Sequence, residues 1–179
     1  MLTEKEKNNP EWQKFYNFFP EIDLPVSLSE EYTGIFTKYN KPISQELIDL
    51  FILQKPLFFG DQEIEQDPEE LIEYVPCFRL PEQKEYYGVV YWKADLLKYT
   101  YIIHTYDKTG KSIASQVIAS TTSDGKNIRQ IVATIDPDLE IYIIGGDATD
   151  PKAYDPSKSK AFSLEITPDG QFIHHFEEK

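Results

Sequence analysis

The chain has 179 residues, 18 Lys and Arg against 31 Asp and Glu, and a net charge of −13. That acidity excludes direct binding to nucleic-acid phosphate or to an anionic membrane, and it favours a basic partner. One cysteine excludes an intrachain disulfide, and the length suits one domain, expected over residues 1–179 with a core that needs no metal or disulfide staple.

The first nine residues are charged, and MLTEKEKNNPEW lacks the apolar region of a signal peptide, so a cytoplasmic location is expected. No run approaches 18 apolar residues, so no membrane span is expected. Asn9-Pro10-Glu11-Trp12 reads as a helix start: a capping side chain, a proline at the first helical position and an acid in the first turn. Trp12, Phe15, Tyr16 and Phe19 recur at helical spacing and predict an aromatic stripe laid on the body. Pro20 ends this helix. Residues 21–28 are expected to be extended, a second short helix follows Ser29 with Tyr32, Ile35 and Phe36 on one side, and Ser44 caps a third, QELIDLFIL, with Leu47, Ile48 and Phe51 inward.

Between Phe59 and Glu73 the character changes. Asp61, Glu63, Glu65, Asp67, Glu69, Glu70 and Glu73 stand without an intervening base, which predicts a solvated loop or an acidic surface for a basic ligand or protein. The run lacks the alternating ligands and central glycine of a calcium loop, so no metal is expected there. Strands follow, over 71–80, 86–92, 97–106, 112–120, 128–135, 139–144, 161–166 and 171–176, marked by β-branched and aromatic residues between short turns. Lys108-Thr109-Gly110 and Pro168-Asp169-Gly170 are hairpin connections. The expected fold is α+β: short N-terminal helices over 1–58, then a twisted, largely antiparallel, meander-like sheet over 71–179.

Catalytic signals are sparse. No nucleophile elbow, zinc-protease helix, Walker loop or dinucleotide fingerprint occurs. His104 sits in a strand and is expected to be inward and hydrogen-bonded, or paired across strands; His174 and His175 are adjacent and must point to opposite faces. Cys77, in LIEYVPCFRL, reads as a core residue. Asp147, Asp150 and Asp155 read as a plain surface loop. No catalytic residue, metal or cofactor is therefore expected. Aromatic residues make 14% of the chain, and Tyr91 and Trp92 are the candidate anchors of a recognition surface formed with the acidic run.

LPVSLSEEYTGIFTKYN resembles the opening of SMI1/KNR4-type immunity proteins, in which Leu-Pro precedes a helix bearing an aromatic residue. The order of KPIS before a helix, TYDKTGKSIASQVIA and a terminal ITPDGQFI hairpin is similar to small bacterial proteins that accompany polymorphic or type VI secreted toxins. The resemblance implies a non-enzymatic immunity protein that binds a cognate, basic effector toxin. The other expectation is an envelope-associated ligand-binding or structural domain whose leader has been removed.

Overall fold

The computed structural model describes residues 9–29, 40–64, 72–148 and 160–176. Two short helices, α1 (Pro10–Tyr16) and α2 (Gln45–Phe51), precede most of the sheet. The strands are β1 (Val26–Leu28), β2 (Leu57–Phe59), β3 (Gln62–Ile64), β4 (Glu73–Arg79), β5 (Tyr87–Asp95), β6 (Lys98–Tyr106), β7 (Ser112–Ser123), β8 (Ile128–Ile135), β9 (Ile141–Ala148), β10 (Lys160–Ile166) and β11 (Phe172–Phe176). Strands β4 to β11 form an antiparallel meander in chain order, so the α+β reading and all eight expected strands hold to within a few residues.

Three strands were not foreseen. The stretch expected to be loop at Phe59–Ile64 is instead the end of a tight β2–β3 hairpin, made possible by Gly60 at φ +65. Strand β2 lies parallel to β7 at Phe58–Gln116, and β1 pairs with the far end of β8. Both attach because β7 and β8 pair only over Ser120–Ser123 and Ile128–Ile131. Beyond Ile131 the two strands part, which leaves each an open edge, and a short strand fills each one.

That parting lets the sheet curl. One core cluster joins Val75, Val90, Tyr101 and Ile118 of β4–β7 to Ala133, Ile141, Ile143 and Leu164 of β8–β10. Phe59 of β2 meets Phe162 of β10 with ring centroids 5.5 Å apart, and the Thr105 hydroxyl donates to the Gly170 carbonyl at 2.6 Å. The two halves of the sheet thus face each other and bury one another's inner sides.

The other face of β4–β7 is covered by the helices. Trp12, Phe15, Leu47, Ile48 and Phe51 form a second core with Val89, Tyr91, Ile102 and Tyr106. The aromatic stripe of α1 is inward as its spacing predicts, and Asn9 caps that helix by accepting from the Trp12 amide at 3.2 Å. Ser44 occupies the capping position of α2 without making the side-chain bond. The second expected helix lies outside the described residues. Pro76 is tolerated in β4 because β4 is the outermost strand of the meander. Its outer side is closed by Asn40, which donates to the Pro76 carbonyl at 2.7 Å, and by Pro20, whose carbonyl accepts from the Arg79 amide at 2.8 Å.

Gly110 ends the β6–β7 turn at φ +87, where a β-carbon would lie 2.7 Å from the Trp12 ring. Gly110→Ala is therefore expected to combine left-handed strain with displacement of the main helix anchor, and to cost about 2 kcal/mol or more of stability, read as a lower midpoint in urea unfolding.

Candidate functional site

The sheet half β8–β11 has an inner side packed on the core and an outer side that nothing among the described residues covers. Registry fixes which residues look outward. Ile131, Ala133 and Ile135 of β8 pair with Gly145, Ile143 and Ile141 of β9 on the inner side. The alternate positions then form outer rows: Val132 beside Ile144 beside Ala161, and next to it Thr134, Tyr142, Ser163 and His175. Ile173 lies one row further, opposite Glu165. Ile128, Val132, Tyr142 and Ile144 are between 38% and 46% exposed, which is unusual for four large apolar residues on two adjacent strands.

The face changes character along the strands. At the β8–β9 turn, Asp136 accepts from the amides of Asp138 and Glu140 at 2.9 and 3.1 Å, which fixes a tight turn through Leu139 at φ 65. Asp136, Asp138 and Glu140 are thereby gathered at one end of the outer face. Their effect is felt by Tyr142, whose phenol is pushed above its ordinary value first by its hydrogen bond to Glu140, then by slight desolvation and by the charges of Glu140, Asp136 and Asp138. Glu165 is held by His175 at 3.0 Å. The arrangement is an apolar centre with carboxylates at one end. It suits a protein surface that is apolar in the middle and bears Lys or Arg at its margin.

The residues singled out from the sequence are placed elsewhere. Tyr91 and Trp92 are not surface anchors. Tyr91 is 1% exposed and faces the helices, whereas Trp92 is 9% exposed and faces the inner core between the sheet halves. As neighbours in one strand they point to opposite sides, and both sides of β5 are covered. Of the acidic run, Asp61, Glu63 and Glu73 are exposed. Asp61 and Glu63 belong to the β2–β3 hairpin and Glu73 to β4, at opposite ends of the row β4-β5-β6-β7-β2-β3. Five inter-strand steps put roughly 24 Å of sheet between them, so these three do not make one patch. Glu65, Asp67, Glu69 and Glu70 lie outside the described residues, as do Asp150 and Asp155. Asp147 belongs to β9.

The outer face had a legible signal. Antiparallel strands with one wet side alternate, but β8 reads Ile131-Val132-Ala133 and β9 reads Ile141-Tyr142-Ile143-Ile144, apolar at both parities. Without the topology, such runs pass for strands buried on both sides.

One interior group has the outline of a catalytic dyad. Ser112 Oγ is 2.6 Å from His104 Nε2, and Tyr91 Oη is 3.1 Å from His104 Nδ1. All three side chains are buried, and Tyr106 stacks on the imidazole at 4.3 Å. Burial, with a smaller contribution from the Lys55 charge, lowers the His104 pKa to about 3, so the ring is neutral and a weak base at ordinary pH. Neither Ser112 nor His104 lines the surface clefts, each of about 350 Å³, formed by β2, β7 and β11 or by α1 and the end of β4. The sequence expectation for His104, inward and hydrogen-bonded, holds. Cys77 is also interior, and desolvation pushes its thiol well up. Among the described residues no three His, Cys, Asp or Glu side chains are grouped as metal ligands, and no helix is long and apolar enough to cross a membrane.

No protein-family model, curated protein or solved structure matches this chain.

Proposed function

We propose that this chain is a non-enzymatic binding protein and, more narrowly, a cytoplasmic immunity protein that neutralises a basic bacterial effector toxin by occupying it. The observation that carries the binding reading is the outer face of β8–β11, where Val132, Tyr142 and Ile144 form an exposed apolar centre ending in Asp136, Asp138 and Glu140. An acidic margin accelerates encounter with a basic protein, and the apolar centre slows its release. The net charge of −13 favours the same class of partner over nucleic acid. The narrower reading is supported by the resemblance of the 24–40 segment to toxin-immunity proteins.

The test is co-expression with the product of the gene immediately upstream, read by co-purification and by rescue of growth. A stable complex that weakens with salt is expected. Ile144→Glu in the centre of the face is expected to weaken it about 30-fold or more while leaving the thermal midpoint of the free chain unchanged, because Ile144 is already half exposed. Failure of the wild-type chain to bind or to rescue would overturn the immunity reading and move the envelope-domain reading to first place.

A further inference from the structure

Two half-buried tyrosines carry a cation supplied by the chain itself. The Arg79 guanidinium lies 4.9 Å from the centre of the Tyr16 ring and 3.2 Å from Glu21. The Lys108 ammonium lies 3.9 Å from the centre of the Tyr87 ring and 3.1 Å from Glu82. Both are the same trio of ring, cation and carboxylate. The negative face of the ring and the carboxylate attract one positive charge together.

Tyr142 has the ring and the acids of such a trio, but no cation among the described residues. It is 45% exposed on the outer side of β9, and its phenol donates to Glu140. Its cross-strand neighbours, Thr134 and Ser163, are too short to cover the ring. Glu165 projects on the same side, bonded to His175 at 3.0 Å. One step beyond the Leu164–Ile141 pair, the registry sets Glu165 opposite Glu140. Like charges opposite each other on adjacent strands are destabilising, and a cation between them relieves that cost.

Local charge selects the guest. From Ile131 to Ala148 and from Ala161 to Phe176 the sequence holds six Asp and Glu and no Lys or Arg. Arg129 and Lys160 belong to the far end of this half-sheet, where they pair in register with Asp147 and Gly145. Among the described residues no three His, Cys, Asp or Glu side chains are grouped to hold a metal ion. Ile144 lies on the same side two residues from Tyr142, about 7 Å along the strand, so the cation sits beside the apolar centre of a protein contact. Of the two protein cations, guanidinium fits better. Its plane stacks on a tyrosine while its fork of N–H donors reaches carboxylates at the ring's margin, whereas an ammonium is a strongly hydrated point charge.

We propose that Tyr142, Glu140 and Glu165 form the seat of one arginine side chain of the protein partner, its guanidinium stacked on the phenol ring and bonded to the two carboxylates. This rests on the docking reading above and narrows it: the partner carries an arginine about 7 Å from the apolar group that covers Ile144.

The experiment follows backbone amide signals of the ¹⁵N-labelled whole chain during titration with acetyl-Ala-Arg-Ala-amide and, separately, acetyl-Ala-Lys-Ala-amide. The arginine peptide is expected to shift Tyr142, Ser163 and Glu165 saturably and to bind about 3-fold tighter than the lysine peptide. Tyr142→Leu is expected to remove that margin at an unaltered thermal midpoint. Equal binding of the two peptides, the same margin in Tyr142→Leu, or shifts confined to other residues would overturn the seat. Co-purification with the product of the gene immediately upstream separates this failure from that of the docking reading. A complex kept by Tyr142→Leu and lost by Ile144→Glu overturns the seat and leaves the docking face standing. If both variants keep the complex, or wild type forms none, the docking reading fails and the inference with it.

Discussion

Trp12→Ala is expected to destabilise the fold by about 4 kcal/mol, the largest effect of any single truncation in the helix-facing core. Trp12 is 2% exposed and its ring lies within 6 Å, centroid to centroid, of Phe15, Tyr16, Phe51, Tyr87 and Tyr106. Its ring meets α2 at Phe51, β5 at Tyr87 and β6 at Tyr106, and it also fills the space beside Gly110. Truncation leaves a cavity that rigid strands on one side cannot close. Trp12→Phe is a sharper measurement. The indole Nε1 is buried and has no hydrogen-bond partner among the described residues, so the indole bears a desolvation cost that phenylalanine does not. The smaller ring loses contacts, but losing the orphaned donor offsets much of that, and Trp12→Phe is expected within about 1 kcal/mol of wild type in urea unfolding. A penalty for Phe close to that for Ala would mean that shape alone, with no contribution from the buried N–H, governs the site.

The contrast between α1 and the acidic run shows which features local sequence carries. Asn9, Pro10, Trp12 and Phe15 define a helix and its inward face without outside help, because capping, proline geometry and the 3.6-residue period are properties of the segment itself. Most meander strands were legible for the same reason, since the turns at Gly110, Asp124-Gly125, Asp136–Glu140 and Gly170 are fixed by their own residues. The hairpin at Leu57–Ile64 was not. Its strands are three residues each, too short to show alternation, and they exist because the parting of β7 from β8 leaves an edge for Phe58 to pair with.

Site residues depend on a further level, the choice of face, and sequence alone supplied that poorly. Tyr91 and Trp92 were attractive as aromatic anchors, yet an aromatic residue in a strand is exposed only if one side of that strand is bare. Strand β5 has the helices on one side and the opposing half-sheet on the other, a fact written in Leu47, Phe51, Ile135 and Ile143 and not in β5. The acids followed a different logic: seven in one run look like one surface, but a hairpin and a strand at the far edge carry Asp61, Glu63 and Glu73 apart. By contrast, the carboxylates at the end of the outer face come from two places: Asp136 and Glu140 from the β8–β9 turn, and Glu165 from β10, which pairs beside β9.

Acid is expected to weaken the fold through His104, separately from the carboxylates. The imidazole has a folded pKa of about 3 against an ordinary value of 6.5, because burial penalises its charged form and Lys55 adds to the penalty. The sign follows from proton binding. Between these two values the unfolded chain holds a proton that the folded chain excludes, so unfolding takes up protons and stability falls as pH falls. The contribution is fully present above pH 6.5, declines from there, and reaches its full loss near pH 3. At pH 5 the loss is about 2 kcal/mol, taken as 1.36 kcal/mol for each unit of separation between 6.5 and the working pH. Tyr91 and Ser112 can serve a neutral ring with one donor and one acceptor role between them, but an imidazolium needs two acceptors and a countercharge, which buried hydroxyls beside Lys55 do not supply. The measurement is urea unfolding at pH 8, 6.5, 5 and 4 for wild type and for His104→Gln. The variant is less stable at pH 8, where it loses the stack on Tyr106 and part of the hydrogen-bond chain, but its stability is expected to fall less steeply between pH 6.5 and 4. The difference between the two slopes isolates His104 from the exposed acids, which titrate in both proteins. Parallel curves would show that the ring takes up its proton in the folded state, and the buried Tyr91–His104–Ser112 chain would then have to open to water at mild acid.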